Sequence, residues 1–572
     1  MDRHDVAHVL EEIGSLLELK GENAFKVRAF QNAARTVGDF TGDLAAALGS
    51  GEFAALKGIG PATLDVVREC LTSARSAALE ALRAEVPPGL VAMLRVSGMG
   101  AAKVRAVHEQ LSIASLEDLE VAARDGRLAE LPRFGEKTAA KILKSLEFLR
   151  RTSAFSLVHH ADRRGETLRA ALAALPGVLA VEVAGSVRRR CEVVRDVDLA
   201  VAATVPLLDL ADHLVRGGAA SATVSAQPDL VTVRVGRDTT ADLHRSTPER
   251  FGHRLVWATG SLAHLEQLQR HAATRGFVLD ATGLTREGAA VSCPDEADCY
   301  DALGLAWIPP ELREGTDEVA RAAAGPLPRL IERSDLRGLL HCHTTYSDGT
   351  NSVAELGEAC RALGYAWLGI TDHSQAAAYA GGLDPERVAR QHAEIDAWNR
   401  ASQDLRILKG IEADILADGR LDYTPEVLDR FDFVIGSIHS RFELDGAAMT
   451  ARVLRALDDP HLTILGHPTG RLLLTRDPYE IDLHQVIARA AERGVAIEIN
   501  ADPQRLDLDW RLCREARDAG VAITIGPDAH SLAGLHNVEF GIGIARKGWL
   551  EPQDVLNTRD AEGFLDYAKA RE

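Results

Sequence analysis

The chain carries three successive patterns of apolar and polar positions. From residue 337 onward, short apolar runs alternate with stretches of helical periodicity, which is typical of βα units. The runs that predict strands lie at 339–340, 367–371, 407–411, 433–438, 462–466, 495–499 and 521–526. Residues of metal-binding type follow most of these runs, and the C-terminal ends of parallel strands meet at one end of a barrel. The last part of the chain therefore predicts a βα barrel with its chemistry at that end.

The first 82 residues predict helices. Apolar positions recur at helical spacing over 6–19 and 25–37, and a third helix follows the turn at 58–63. The middle of the chain mixes both patterns, with strands predicted at 178–184 and 199–203. The whole pattern predicts a multidomain α/β protein with a helical N-terminal region.

Length and composition narrow the class of protein. At 572 residues the chain is long enough for several domains, since a single core seldom grows beyond about 250–300 residues. No apolar run reaches the roughly 20 residues that span a bilayer, and the first residues lack a signal-peptide core. The seven cysteines contain no CxxC pair, which favours reduced thiols over a zinc ribbon or a disulfide framework. We therefore expect a cytoplasmic protein without a membrane partner.

The charge is unevenly distributed. The net charge is −19, but residues 331–572 hold 40 acidic and 26 basic side chains and so account for −14 of it. The rest of the chain is nearly balanced, so its arginine and lysine clusters can still hold phosphates. The acidic excess lies where metal-type residues are concentrated.

A glycine-serine turn and two aspartates accompany the predicted strands in the middle of the chain. Gly185 and Ser186 directly follow the first strand, and Asp196 and Asp198 lead into the second. Residues two apart on a strand point to the same face, so these carboxylates form a hard-oxygen site suited to Mg²⁺ and phosphoryl transfer. An isolated D-x-D is more often a solvated strand end. Here the turn, whose N–H groups would suit a triphosphate, and an arginine cluster favour a functional site.

The pattern G-S-x-R-R followed by D-x-D resembles the palm of the family X DNA polymerases, nucleotidyltransferases typified by DNA polymerase beta. The resemblance implies a third metal-binding carboxylate on a neighbouring strand, a position that Asp242 occupies. The implied nucleotide-binding residues are Gly185, Ser186, Arg189 and Gly260. The implied cofactor is Mg²⁺, held by three catalytic carboxylates without a histidine.

Three positions of the implied nucleotide pocket depart from that family. Arg195 stands where a glycine is usual, Ala258 replaces the second ring of an aromatic pair, and Leu265 replaces an asparagine. A further departure is Val66, at the position of the lysine with which DNA polymerase beta attacks an abasic sugar. Because a Schiff base needs an amine, Val66 argues against lyase activity by that route.

Three glycine-containing turns, at 56–60, 96–103 and 131–138, resemble helix-hairpin-helix motifs. Such a turn presents backbone N–H groups at a helix N-terminus, where they bind a phosphate without reading a base. One turn alone is often only a tight connection, but three favour DNA binding. The resemblance is to the 8 kDa domain and fingers of family X. The candidate DNA-binding residues are Lys26, Arg28, Gly58, Gly60, Gly98, Gly100, Lys103, Gly135 and Lys137.

The motifs H-x-H, S-D-G, T-D-H, G-I-E, G-H-P and D-A-H in the last part of the chain resemble the PHP (polymerase and histidinol phosphatase) domain. The resemblance implies a distorted (βα)7 barrel that binds up to three metal ions. The implied ligands are His341, His343, Asp348, His373, Glu412, His439, His467, Asp528 and His530. Imidazole mixed with carboxylate suits Mn²⁺ or Zn²⁺ better than Mg²⁺ alone. Arg471 is a candidate phosphate-binding residue.

The resemblance covers nearly the whole chain and implies an order of domains. These are an 8 kDa-like helical domain (1–82), helix-hairpin-helix fingers (83–150), a palm (151–258), a thumb (259–313), a linker (314–336) and a PHP phosphoesterase domain (337–572). The implied protein is a monomeric repair polymerase that uses dNTPs to fill short gaps in primed DNA. Its PHP domain would act as a 3′-5′ exonuclease, with AP endonuclease or 3′-phosphatase activity in addition.

Two alternatives remain open from the sequence. In the first, the altered nucleotide pocket leaves only the nuclease active, and the N-terminal half serves as a DNA-binding module. In the second, the chain is a small-molecule phosphatase of the histidinol phosphate type, which the three hairpins disfavour because such an enzyme needs no contacts to a phosphate backbone.

Overall fold

The computed structural model describes residues 3–40, 44–56, 58–73, 75–236 and 239–570. Lys57, in the first predicted hairpin, lies outside these residues. The chain divides into two compact units, Met1–Ala154 and Phe155–Glu572. No helix in the described stretches is long and apolar enough to cross a membrane.

The first unit is helical, as the apolar spacing predicts. Its helices are α1 (Arg3–Leu19), α2 (Ala24–Asp39), α3 (Leu44–Ser50), α4 (Pro61–Ser73), α5 (Ala77–Glu85), α6 (Pro88–Leu94), α7 (Ala101–Leu111), α8 (Leu116–Arg124) and α9 (Gly135–Thr152). On α1, Val6, Leu10, Ile13 and Leu17 recur at helical spacing and are at most 3% exposed, so this face of the helix forms part of the core.

The second unit begins with the region predicted as the palm. Its mixed sheet has the strand order β2 (Val178–Ala184), β4 (Asp196–Ala203), β7 (Thr240–Ser246), β6 (Leu230–Arg234) and β5 (Ala222–Ala226). A two-stranded ladder joins β1 (Ser156–Leu157) to β3 (Val193–Val194). The helices are α10 (Val158–Ala173), α11 (Gly185–Arg188), α12 (Leu207–Arg216) and α13 (Phe251–Thr259). Strands β4 and β7 run parallel and the other pairs antiparallel.

The thumb region joins short helices to a small antiparallel sheet. Its elements are α14 (Leu262–Thr274), β8 (Phe277–Asp280), β9 (Gly283–Arg286), β10 (Ala289–Ala290), α15 (Glu296–Ala302) and α16 (Glu318–Ala324). Helix α16 falls in the segment predicted as a linker. Val319 and Ile331 of that segment are buried, so this stretch is packed into the unit.

The last region is a seven-stranded parallel barrel, which confirms the predicted fold. The strands, in spatial and chain order, are β11 (Gly338–Cys342), β12 (Trp367–Ile370), β13 (Arg406–Asp414), β14 (Phe433–Ser437), β15 (Leu462–Leu465), β16 (Ala496–Asn500) and β17 (Ile523–Gly526). A single bridge between Cys342 and Ala529 joins the ends of the first and last strands.

Helices and 3₁₀ turns connect and surround these strands. The helices are α17 (Val353–Ala362), α18 (Pro385–Ala401), α19 (Pro425–Leu428), α20 (Gly446–Leu457), α21 (Leu483–Arg493), α22 (Trp510–Asp518), α23 (Val538–Lys547) and α24 (Ala561–Lys569). The 3₁₀ turns of the chain are Phe53–Ala55, Pro248–Arg250, Pro310–Leu312, Arg333–Asp335, Ala378–Ala380, Ala533–Asn537, Pro552–Asp554 and Leu556–Thr558.

Aromatic residues close the N-terminal end of the barrel. Trp367, the first residue of β12, stacks on Phe564 of α24 at 4.9 Å between ring centroids, and Phe433 meets the same ring edge-on at 5.3 Å. All three rings are buried. Packed side chains fill this end of the barrel, and barrel enzymes carry their active sites at the opposite, C-terminal end.

The palm and thumb contact the barrel within the second unit. Lys547 of α23 is 1% exposed and donates to the carbonyl oxygen of Arg189 at 3.1 Å and to the carboxylate of Glu314. Arg546 pairs with Glu311 at 2.7 Å. These contacts hold the palm and thumb regions against the barrel.

Candidate functional site

The palm carboxylates lie on two adjacent parallel strands. In the register of β4 and β7, Asp198 lies directly beside Asp242, and Asp196 points to the same face because it is two residues away. Burial, followed by the charges of Asp198 and Asp242, raises the pKa of Asp196. Three carboxylates crowded in this way repel one another, and a cation would relieve the repulsion.

The glycine turn touches these carboxylates. Gly185 has a φ of +64°, and a Cβ added there would lie 1.9 Å from Oδ2 of Asp198. A side chain at this position would therefore collide with the carboxylate. Oδ1 of Asp242 is oriented by the hydroxyl of Thr232, which donates to it at 2.6 Å.

One histidine near the palm carboxylates was missed in the sequence. Nε2 of His244 lies 2.8 Å from Oδ1 of Asp198, and Asp198, Asp242 and His244 place one ligand atom each within 4.8 Å of one another. His244 therefore adds an imidazole beside the palm carboxylates that the expectation of three carboxylates did not include. The signal was present, because His244 is two residues beyond Asp242 on one strand and so shares its face.

The arginine cluster is engaged within the protein. Arg188 forms a bidentate pair with Glu296, at 2.7 and 2.9 Å. Arg189 donates to Glu314 at 2.9 Å and to the carbonyl oxygen of Thr259 at 2.6 Å. These bonds tie the palm to the thumb, and Arg189 can contact a triphosphate only after leaving its partners.

The remaining nucleotide-pocket positions are placed as follows. Ser186 lies in the short helix α11 beside Gly185. A Cβ added to Gly260 would meet the side chains of His264 and Leu265 at 2.9 and 3.0 Å, so this glycine permits close packing.

Leu265 is 7% exposed and belongs to the thumb core. Ala258 is half-buried, whereas Arg195 is exposed with its guanidinium 4.8 Å from the ring centre of Phe155.

The structure brings all nine predicted PHP ligands together at the C-terminal end of the barrel. They fall into four overlapping groups whose ligand atoms lie within 4.8 Å of one another. The groups are His343–Asp348–His373–His530, His341–Glu412–His467, His341–His343–Asp528 and His373–Glu412–His439. Sharing of residues between groups is the arrangement expected of a multinuclear centre with bridging ligands.

Glu412 lies at the centre of this cluster. Its oxygens are 2.9 Å from His373, 3.0 Å from His467, 3.2 Å from His439 and 3.4 Å from His341. Burial would raise the pKa of Glu412, but the neighbouring imidazoles, His439 first, hold it well below its usual range.

The donor atoms of the cluster fit metal ions. Among the described residues, the buried atoms Nε2 of His341, Nε2 of His343, Nδ1 of His373 and Oε2 of Glu412 have no hydrogen-bond partner. A buried polar atom without a partner costs about 1–3 kcal/mol, and metal ions held by these groups would satisfy such atoms. The mixed imidazole and carboxylate set matches Mn²⁺, Zn²⁺ or Fe²⁺.

Backbone strain marks the same cluster. His341, His467 and Asp528 have φ values of +64°, +24° and +50°, in the left-handed region that non-glycine residues seldom adopt. Strain of this kind persists where the surrounding structure fixes a side chain for function.

A second layer of acids orients the histidines, and the sequence reasoning missed it. Glu498 accepts from Nδ1 of His341 and from the backbone N–H of His467. Asp414 lies 2.7 Å from Nδ1 of His439. Such partners fix the ring nitrogen that faces a metal. Asp414 was detectable as the inward position two residues beyond Glu412, but the partner of Glu498 is 157 residues away.

Arg471 is placed differently from the predicted role. Its guanidinium donates to Asp509 at 2.9 Å, to the carbonyl oxygen of Arg505 at 2.8 Å and to that of Leu506. Its side chain is only 11% exposed, so it stabilises the loop rather than facing the cluster. Arg505 faces the cluster instead, with Nε 3.4 Å from Oδ2 of Asp528.

In the first unit, the hairpin glycines open to solvent. An added Cβ at Gly60, Gly98, Gly100 or Gly135 would have no described heavy atom within 4 Å, apart from the adjoining residues. A phosphate can therefore approach these turns closely. At Gly58 the φ is +95° and Thr36 lies 3.1 Å from the added Cβ.

The basic residues predicted to bind DNA differ in their exposure and in their polar contacts. Lys26, Arg28 and Lys137 are exposed, although Lys26 lies 3.7 Å from Glu22. Lys103 donates to the carbonyl oxygen of Gly98 at 2.9 Å, within the second turn. Val66 is 4% exposed and part of the core, so its position offers no amine to a sugar.

Comparison with known proteins identifies the family. The helix-hairpin-helix domain matches residues 1–76, the SAM-like helix-hairpin-helix tandem 91–147, the DNA polymerase beta thumb 254–314 and the PHP domain 340–502. The DNA polymerase/3′-5′ exonuclease PolX of Bacillus subtilis is 36% identical over 572 residues, which cover 99% of each chain. The chain belongs to the bacterial family X DNA polymerases with a C-terminal PHP domain.

Other relatives of this family X polymerase match only part of the chain. A probable phosphatase of Thermoanaerobacter sp. is 30% identical over 29% of the chain and 69% of its own length. A probable phosphatase of Caldicellulosiruptor bescii is 27% identical over 40% of the chain and 94% of its own length. The multidomain α/β fold with hairpins, polymerase thumb and PHP barrel is thereby confirmed.

Proposed function

We propose that this chain is a DNA repair polymerase that fills short gaps and also carries a 3′-5′ exonuclease in its barrel. The observation that carries the proposal is the presence of two separate clusters of metal-binding side chains in one unit. The first holds Asp196, Asp198 and Asp242 against the turn at Gly185. The second is the nine-residue cluster of the barrel.

In the palm, the chain itself supplies orientation. Thr232 and His244 each fix one carboxylate oxygen, which leaves the other oxygens for Mg²⁺ ions. Because Gly185 has no side chain, the turn can lie against the carboxylate of Asp198, and the backbone N–H groups of such a turn suit a dNTP triphosphate. Metal ions bound in such sites neutralise phosphate charge and orient the attacking and leaving oxygens.

In the barrel, the residues favour hydrolysis of a phosphoester. Among the nine cluster residues, Asp348 and His530 are the most exposed, with 34% and 41% of their side chains accessible. A DNA end enters from the side of these two residues, and Arg505 is placed to balance the charge of its phosphate. We propose Mn²⁺ or Zn²⁺ for this site because of its imidazoles. Cleavage at abasic sites and removal of 3′-phosphates are further reactions that the same site supports.

DNA is held mainly by the first unit in this proposal. Contacts from backbone N–H groups at the hairpin turns are indifferent to base identity, so binding is independent of sequence and weakens as salt rises.

A second candidate function rests on the relatives that match only part of the chain. They are named probable phosphatases, and this favours a phosphomonoesterase activity on small substrates. The first unit, with its open hairpin turns, has no role in such a reaction, so we place DNA hydrolysis first.

One substrate tests the whole proposal. A gapped duplex with a labelled primer is incubated with dNTPs and Mg²⁺, or with Mn²⁺ alone, and the primer length is followed. We expect Asp242→Asn to abolish extension while shortening continues, and His343→Ala to abolish shortening while extension continues.

The outcomes separate the candidates. Extension by Asp242→Asn at the wild-type rate would show that the palm triad is misassigned. A wild-type chain that hydrolyses a small phosphomonoester but neither extends nor shortens the primer would favour the phosphatase. Shortening without any extension would leave a nuclease with a polymerase-like DNA-binding region.

A further inference from the structure

One exposed aromatic residue lies at the open side of the barrel cluster. Tyr379 is 72% exposed and is the single large apolar side chain with such exposure in the described barrel residues. Its ring centroid lies 6.1 Å from that of His373 and 6.4 Å from that of His439. Aromatic side chains commonly line ligand-binding sites, so an exposed ring beside the cluster is a candidate contact for a ligand.

The backbone that carries Tyr379 is fixed on both sides. Ala377 and Ala380 are buried, and their N–H groups donate to the carbonyl oxygens of Ser374 and Ala377, each at 3.0 Å. The N–H of Leu383 donates to the carbonyl oxygen of His373 at 2.9 Å. The turn is therefore tied to the same strand end that supplies a cluster histidine, and the ring of Tyr379 is exposed on it.

A further bond closes the turn. Arg387, in the first turn of α18, donates to the carbonyl oxygen of Gly381 at 2.6 Å. Its second nitrogen donates to the carbonyl oxygen of Tyr346, so the loop after Tyr379 is fastened to the loop that carries Asp348. A ring held on this frame keeps a constant position relative to the cluster, as a binding platform requires.

The residues around Tyr379 indicate which kind of ligand its ring would contact. The open rim of the cluster consists of Asp348 and His530 next to Tyr379, so a flat apolar group that is joined to a phosphate fits there. A nucleobase is such a group, because one sugar joins it to the phosphate that the cluster would hold. Bases stack on aromatic side chains without regard to sequence, since every base has a π face.

We propose that Tyr379 is the stacking platform for the 3′-terminal nucleobase of the DNA strand that is hydrolysed. It is a specificity-determining residue, because it favours strand ends that carry a base over bare phosphoesters. The inference rests on the proposed exonuclease function.

The first test measures stacking directly. A single strand that ends in 2-aminopurine is titrated with the full chain in an Asp528→Asn background, so that hydrolysis does not remove the probe. We expect the fluorescence of 2-aminopurine to be quenched on binding, equally with Tyr379→Phe and much less with Tyr379→Leu. The Kd for the strand end should rise roughly 5- to 100-fold in the Leu variant.

The second test separates a stacking role from a structural one. Two strands are compared as substrates, one ending in a normal nucleotide and one ending in a tetrahydrofuran abasic residue. Tyr379→Leu should raise KM for the first strand and leave KM for the second unchanged. Tyr567→Leu serves as the matched control on another part of the barrel, where the hydroxyl bonds to the carbonyl oxygen of Gly494.

The outcomes distinguish this inference from the function on which it rests. A wild-type chain that does not shorten either strand would overturn the proposed exonuclease. A wild-type chain that shortens both strands, with the same KM and quenching in Tyr379→Leu, would overturn the stacking role alone. Equal losses on the normal and the abasic strand would also overturn it, because they would place Tyr379 in the general structure of the site.

Discussion

Single positions decide how the palm presents its carboxylates. Asp198 has one oxygen beside His244 and the other beside Gly185. An imidazole that leaves its bond to Asp198 would add a ligand type that prefers transition metals to Mg²⁺. With His244, the side chains of the palm that could hold a metal include an imidazole, as those of the barrel do.

At the residue scale, we predict that His244→Asn shifts the metal preference of synthesis towards Mg²⁺. The amide of asparagine can still donate to Asp198, but the imidazole is lost. The ratio of kcat/KM in Mn²⁺ to that in Mg²⁺ should fall on the order of tenfold. Primer extension on gapped DNA with each metal measures this ratio.

The control for this prediction is His213→Asn. His213 is exposed on α12, where its ring contacts the carbonyl oxygen of Asp209, and its replacement should leave the ratio unchanged. An unchanged ratio in His244→Asn as well would mean that the imidazole only positions Asp198.

At the element scale, buried ion pairs join the elements of the palm and thumb. Glu296 at the start of α15 is 7% exposed and accepts from Arg188 and from the fully buried Arg313. Burial would raise the pKa of Glu296, but the charges of Arg313 and Arg188 lower it to about 2 from an ordinary 4.5. Because the folded pKa is depressed, the stabilisation is complete above the unfolded value and is lost as pH falls towards 2.

We therefore predict that Glu296→Gln is strongly destabilised at neutral pH and much less so in acid. Loss of one partner leaves Arg313 buried without its counter-charge, which costs roughly 3–5 kcal/mol. The difference in Tm between wild type and variant should be constant above pH 4.5 and shrink as pH falls below it. Calorimetric scans across this range measure it.

The matched control is Glu166→Gln, which removes an exposed pair with Arg169. Exposed pairs contribute little, so this variant should follow the wild type at every pH. A Tm difference for Glu296→Gln that does not change with pH would show that its ionisation is not linked to folding.

The hairpin elements allow a separate test of DNA binding. Gly100 caps α7 with φ −74° and ψ 164°, a conformation open to any residue, and Asp is a favoured N-cap. We predict that Gly100→Asp folds as well as the wild type but binds DNA more weakly, because its carboxylate stands where a phosphate would approach.

The control variant for the hairpin is Gly100→Ser, an equally good cap without charge. Fluorescence anisotropy with two unrelated sequences, each at several salt concentrations, should show an equal loss for both sequences in Gly100→Asp only. Affinity unchanged by the aspartate would remove this turn from the DNA-binding surface.

At the scale of the whole molecule, the barrel cluster couples metal binding to stability. Buried donor atoms without partners surround Glu412, so metal ions that bind them stabilise the folded chain. We predict that thorough chelation lowers Tm and that Mn²⁺ restores it. At 100 times the Kd, bound Mn²⁺ should add on the order of 3 kcal/mol to the free energy of unfolding.

A paired variant identifies the responsible site. His341→Ala combined with His343→Ala should abolish the Mn²⁺-dependent rise in Tm, whereas Asp242→Asn should keep most of it. A rise that survives in the histidine variant would place the stabilising metal outside the barrel.

The contacts between palm, thumb and barrel also govern how the chain can be divided. Lys547 is buried against Arg189 and Glu314, and α16 packs in the same unit. A fragment that ends near residue 310 would expose these groups, so variants of the full chain are the better tools for separating the activities.

The sequence by itself determined the barrel and its nine cluster residues. Eight of the nine predicted ligands lie at or just beyond the end of a short apolar strand, and parallel strands bring their C-terminal ends together whatever the connecting helices contain. The ninth, Asp348, was implied by the S-D-G motif of the PHP resemblance. The palm aspartates were accessible for the same reason, since a spacing of two fixes a shared face. Local spacing was sufficient at these positions because the regular elements fix the direction of the side chains.

Only the tertiary structure decided which groups meet across long stretches of chain. The pairing of Glu498 with His341, of Arg189 with Glu314, and of Arg471 with Asp509 joins residues far apart in sequence. An arginine that is free to bind phosphate and one that is held by a buried carboxylate have the same local sequence signal. The difference depends on packing and on the long-range placement of opposite charges, which no spacing along one strand or helix specifies.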